Sequence, residues 1–140
     1  MTKKKAPAKS EKGTVTRALE AQKGWEFTEK DITKIIGSDE LMEAWEKLRA
    51  FAAGLGKQRI YASAQSIMFA RKVCYFYARP KKNFIEVFIF LPHRIAELPY
   101  TVTAGKKERF CSKFKLEHSD QVEEPLTDWL QEAFDLAPAE

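Results

Sequence analysis

The stretch VCYFYARPKKNFIEVFIF, residues 73–90, constrains the fold more than any other part of the chain. Two apolar runs with a period of two flank Pro80-Lys81-Lys82-Asn83, the pattern of an antiparallel hairpin. The simplest register sets Arg79 opposite Phe84. Side chains alternate across a strand, so the two faces can be sorted. One face collects Cys74, Phe76 and Ala78 with Ile85, Val87 and Ile89, and has no polar atom beyond a thiol. This is the expected core side. The other collects Tyr75, Tyr77 and Arg79 with Phe84, Glu86 and Phe88. In this register Glu86 stands across from Tyr77, within hydrogen-bonding reach.

Such an amphipathic aromatic face has three uses. A loop or helix can cover it, leaving the tyrosines to find local partners. It can serve as an open platform, with rings stacking on bases and cations holding phosphates. It can also form a protein interface, where Tyr, Phe and Arg are enriched.

The segments around the hairpin give the rest of the fold class. Thr28 is an expected helix N-cap with Asp31 as a variant capping box, and Ile32, Ile35 and Ile36 follow before Gly37. Ser38 caps a longer helix with Leu41, Met42, Trp45, Leu48, Ala52 and Leu55 on one stripe. From Lys57 the period becomes two. Strands are expected at about 58–63, 65–70, 73–79, 84–91 and 108–116, with a looser stretch over 92–107. A last helix is expected over about 122–136, with Pro125 in its first turn. Its stripe is Leu126, Trp129, Leu130, Ala133 and Phe134. The expectation is α+β: an antiparallel sheet of about five strands, packed against two N-terminal helices and one C-terminal helix. Residues 1–24 read as a disordered Lys-rich tail and 25–140 as a single α+β domain.

Net charge is +4, but its distribution carries the information. Residues 1–12 hold five lysines and one glutamate. Residues 57–115 hold thirteen basic and three acidic groups, and residues 116–140 hold eight acids with no lysine or arginine. Segregation of this kind concerns partners rather than fold. The cations around the aromatic face are Arg71, Lys72, Arg79, Lys81, Lys82, Lys106, Lys107, Arg109, Lys113 and Lys115.

Motifs for chemistry are scarce. His93 and His118 lie far apart, and no Cys or His pair has zinc spacing. TAGKKE, residues 103–108, lacks the upstream glycine and the hydroxyl residue of a P-loop. Neither a metal nor a cofactor is expected. Glu86 among aromatics could act as a general base if its pKa were raised. Cys74 and Cys111 read as inert, reduced core thiols of a cytoplasmic protein. No apolar run approaches the roughly 18 residues of a membrane span, so no membrane partner is expected.

The succession LMEAWEKLRAFAAGLG, SIMFARKVCYFYARPKKNFIEVFIFL and EEPLTDWLQEAFDLA resembles a small bacterial domain of unknown function, often loosely labelled a predicted transport protein. More distantly it resembles the compact α+β folds of frataxin-like and YjbR/YdhG-like proteins. The similarity covers roughly residues 40–136 and is most specific across the aromatic hairpin. It implies a fold but no activity, because such a family has no settled site residues to carry over.

The functional expectation is a non-enzymatic cytoplasmic binding module whose basic, aromatic sheet face contacts nucleic acid or another polyanion. The site would draw on Arg71, Lys72, Tyr75, Tyr77, Arg79, Lys81, Lys82, Phe84, Glu86, Phe88, Lys106 and Lys107. One alternative is a protein-interaction or adaptor domain with no nucleic-acid role. Another is a small-ligand-binding protein or enzyme centred on Glu86 and Tyr77. The oligomeric state is not legible.

Overall fold

Thr28 and Asp31 set the first helix as their types dictate. The Asp31 amide donates to Thr28 Oγ1 (3.1 Å), and the Thr28 amide donates back to Asp31 Oδ2 (3.0 Å). The computed structural model of the chain describes residues 28–103 and 109–139. The expected tail, with Lys106 and Lys107, therefore lies outside the described residues. Helix α1 spans Glu29–Thr33. It is shorter than expected, because Gly37 donates its amide to the Lys82 carbonyl (2.9 Å) and Ser38 begins a new cap.

Helix α2 spans Asp39–Ala53, with Ser38 Oγ accepting from the Leu41 amide (3.1 Å). It buries Leu41, Ala44, Trp45, Leu48 and Ala52, while Met42 and Leu55 pack half-buried at the margin. A two-pronged Arg49–Glu29 bond (2.6 and 2.9 Å) ties α2 to α1.

The sheet has six strands: β1 Arg59–Ser63, β2 Ser66–Ala70, β3 Cys74–Pro80, β4 Ile85–Leu91, β5 Tyr100–Thr103 and β6 Arg109–Leu116. They run antiparallel in the order β1-β2-β3-β4-β6-β5. The additional strand, β5, comes from the stretch read as loose. Four residues following Pro99 are too few to show a period, and only pairing with β6 orders them. A 3₁₀ turn at Ser119–Gln121 leads to α3, Leu126–Leu136, with Pro125 at the cap rather than inside the helix.

One cluster joins the helices to one side of the sheet. Leu41, Trp45 and Leu48 from α2, and Leu126, Leu130, Ala133 and Phe134 from α3, meet Ile67, Phe69, Phe76, Ala78, Ile85, Val87 and Ile89. Trp129, expected within the buried stripe, is half-buried and packs edge-on against Phe114 (6.2 Å). The fold is the expected α+β class. Among the described residues, no helix is long and apolar enough to cross a membrane.

Two local features correct the hairpin reading. The first is register: Arg79 pairs with Glu86 and Tyr77 with Phe88, two residues away from the simplest alignment. The loop closes one pair later, with the Lys81 amide donating to the Phe84 carbonyl (2.8 Å) and Pro80 facing Ile85. A slip of two preserves which side chains share a face, so Phe76, Ala78, Ile85, Val87 and Ile89 take the expected core side. The second is a β-bulge. Phe69 pairs with Phe76 but Ala70 with Cys74, leaving Tyr75 as the extra residue. Alternation breaks there, and both Tyr75 and Phe76 enter the core. Tyr75 packs edge-on against Phe134 (5.3 Å) and donates its hydroxyl to Gln58 Oε1 (2.7 Å). Cys74, expected in the core, is half-buried and outside the apolar cluster.

Candidate functional site

The sheet face away from the helices carries two ladders that run across the strands. One is ring-rich: Tyr61 pairs with Met68, Met68 with Tyr77, Tyr77 with Phe88, and Phe88 with Lys113. Its neighbour is polar: Ser63 pairs with Ser66, while Arg79 pairs with Glu86 and Glu86 with Lys115. Arg79 Nε donates to Ser66 Oγ (3.1 Å), which joins the two halves of that ladder.

The rings of Tyr77, Phe84, Phe88 and Phe90 are half-buried, and cations lie on them. The Tyr77 and Phe88 rings stack at 4.5 Å and 15°. The Arg79 guanidinium sits 5.9 Å from the Tyr77 ring and 5.7 Å from that of Phe88. Lys113 lies 6.0 Å over Phe88, Lys115 4.8 Å over Phe84 and Arg109 4.2 Å over Phe90. A ring's negative face attracts each cation and favours that place for it on the surface. Glu86 lies within this group, where Lys113 bonds its carboxylate (3.1 Å), and Glu117 stands beside Lys115 (3.9 Å). The face therefore keeps a net excess of positive charge.

The β6 sequence RFCSKFKL explains how this is encoded. Arg109, Cys111, Lys113 and Lys115 fall on one parity and Phe110, Ser112, Phe114 and Leu116 on the other. The odd set meets Phe90, Phe88 and Glu86 on the open side. That alternation sets which β6 side chains take the open side, while pairing with β4 sets their neighbours.

The expected site residues divide. Tyr77, Arg79, Phe84, Glu86 and Phe88 come together on the open face. Tyr75 does not, being in the core. Arg71 serves the other layer: Nη1 donates to the carbonyls of Phe134 (2.8 Å) and Ala137 (3.1 Å), and the guanidinium lies 4.3 Å over the Phe134 ring. Lys72 bonds the Pro138 carbonyl through its amide, leaving its side chain at the surface. Lys81 and Lys82 sit in the β3–β4 turn, where the Lys82 stem abuts Gly37.

A Glu86–Tyr77 pair is not formed, since Tyr77 faces Phe88 and Glu86 is held by Lys113. Burial, above all, pushes the Tyr77 phenol above its ordinary pKa. Burial likewise pushes the Cys74 thiol up to about 12 and raises that of Cys111, so neither is a ready nucleophile at neutral pH. Among the described residues, no group of three or more His, Cys, Asp or Glu is placed to hold a metal.

Comparison with known proteins gives a family. The model described as "Domain of unknown function (DUF5655)" matches residues 29–137, and the chain belongs to that family. No curated protein and no solved structure matches it.

Proposed function

We propose that this member of the DUF5655 family is a binding module that takes nucleic acid or another polyanion on the open face of its sheet. One observation carries the reading. Arg79, Arg109, Lys113 and Lys115 each lie over an aromatic ring on that face, accompanied by two carboxylates, Glu86 and Glu117. Arg79 and Arg109 are anchored by hydrogen bonds as well as by rings, so a phosphate meets two cations positioned in advance beside two exposed lysines. Three acids of the C-terminal segment, Asp128, Glu132 and Asp135, lie on α3 in the other layer. There Asp128 and Asp135 are exposed, which orients an anion toward the sheet.

The test is fluorescence anisotropy with labelled single- and double-stranded oligonucleotides between 50 and 200 mM salt. If the four cations meet phosphates, log affinity falls against log salt with a slope of about −3 to −4. Lys113→Glu with Lys115→Glu removes binding, whereas Lys47→Glu on α2 leaves it intact. Absence of binding at low salt, or indifference to the double reversal, rejects the reading.

A protein-interaction role is the second reading, and β5 favours it. It is an edge strand whose Tyr100 and Val102 are 41% and 50% exposed. Pull-down with and without nuclease separates the two, because a partner held through nucleic acid is lost on digestion.

A further inference from the structure

We infer that the ligand of this face is single-stranded nucleic acid, whose bases take the ring positions now held by the ammonium groups of Lys113 and Lys115. The inference rests on the polyanion reading and narrows it. The four cations are of two kinds. Arg79 and Arg109 are anchored by hydrogen bonds, the first to Ser66 Oγ (3.1 Å) and the second from Nη1 to the Cys74 carbonyl (3.0 Å). Lys113 and Lys115 are held by ion pairs, to Glu86 at 3.1 Å and Glu117 at 3.9 Å, and their side chains are 48% and 60% exposed. The Glu117 pair is open to solvent on both sides and holds weakly. Glu86 is 15% exposed and grips Lys113 more firmly, so Lys115 is the readier of the two to move.

A phosphate approaching the face draws these two flexible ammonium groups toward itself. The ring faces they leave, on Phe88 and Phe84, then need a new cover. A duplex supplies phosphates, but its bases are paired and stacked within, so the vacated rings stay in water. An unpaired base can take the place of the departed ammonium. The magnitudes favour that exchange. Base–aromatic stacking is worth roughly 5- to 150-fold in affinity per base, against roughly 2- to 5-fold for an exposed ammonium on a ring. Tyr77 and Phe88 cover one face of each other, so the base positions are the places where an ammonium now lies, Lys113 on Phe88 and Lys115 on Phe84. The arginines fix the backbone, and the lysines yield their rings to bases.

The test uses the full chain with a labelled oligo(dT), the matching dT·dA duplex and inorganic polyphosphate as competitor, at one salt concentration. Oligo(dT) is expected to bind about tenfold more tightly than the duplex. Phe88→Leu and Phe84→Leu each lower oligo(dT) affinity about tenfold and leave duplex affinity alone. Phe88→Trp, which keeps a stacking face, retains binding, and its indole emission is quenched by oligo(dT) but not by polyphosphate. Equal affinity for single strand and duplex overturns the inference while the polyanion reading stands. So does an unchanged oligo(dT) affinity in the leucine variants, with binding still lost in the Lys113→Glu, Lys115→Glu chain. Absence of binding by every probe at low salt overturns both.

Discussion

Arg71 reads from sequence as a ligand-facing cation, and the structure makes it a clamp on the end of α3. Replacing it by alanine removes two charge-assisted hydrogen bonds, to the carbonyls of Phe134 (2.8 Å) and Ala137 (3.1 Å). Each such bond contributes about 1.5–3 kcal/mol. The cation also sits at a helix C-terminus that has no basic residue in its own last turn. It further covers the Phe134 ring at 4.3 Å, for about 0.5–1 kcal/mol. Against these stands Arg71 Nε, buried without a partner, whose desolvation costs about 1–3 kcal/mol and is relieved by the substitution. The central values of these terms leave a net loss of about 3 kcal/mol for Arg71→Ala, read by urea denaturation as a lower midpoint at unchanged slope. Arg71→Lys recovers part of the loss, because an ammonium has donors for both carbonyls but no planar group to lay on Phe134. Lys72→Ala is the control. Its amide, not its side chain, bonds Pro138, so it stays within about 0.5 kcal/mol of the parent. An Arg71→Ala loss no larger than that of the control would show that apolar packing alone holds α3 and refute the clamp.

Three further outcomes follow from single residues. Ala64 stands at φ 56° in the two-residue turn between Ser63 and Ser66, a conformation that costs a non-glycine residue about 1–2 kcal/mol, so Ala64→Gly raises stability by about 1 kcal/mol in the same urea assay. His93 is held above the ordinary histidine pKa by its bond to the Arg94 carbonyl and then by Glu132 at 2.7 Å. The imidazolium form therefore stabilises the fold fully below about pH 6.5, and that contribution fades as pH rises through the higher folded value. Thermal melts from pH 6 to 8 should show a decline that His93→Gln abolishes. Burial holds both thiols in the protonated state, so Cys74 and Cys111 react with iodoacetamide at pH 8 far more slowly in the folded chain than in urea, as mass spectrometry of the adducts would show.

Local signals in the chain determined its elements. Thr28 with Asp31, and Ser38 by itself, place two helix starts, because a side-chain oxygen three residues from an amide satisfies it with no help from elsewhere. Leu126, Leu130, Ala133 and Phe134 place the last helix through a spacing set by the helix itself. The parity of the hairpin strands placed Ile85, Val87 and Ile89 inward, and Tyr77, Arg79, Glu86 and Phe88 outward. Charge segregation was likewise countable before any fold was known.

What tertiary structure decided concerns partners distant in the chain. Tyr75 lies in the core because the bulge opposite Phe69 and Ala70 turns it toward Phe134, 59 residues away, and no local pattern reports that meeting. Arg71 is committed to α3 for the same reason. The pairing of Glu86 with Arg79 rather than Tyr77 depended on where the loop closes, a choice between registers of identical parity. The site itself exists only because β6 joins β4, laying Lys113 and Lys115 over rings from another strand. Periodicity fixes the direction a side chain takes from its own backbone, whereas its neighbour across the sheet is chosen by long-range pairing.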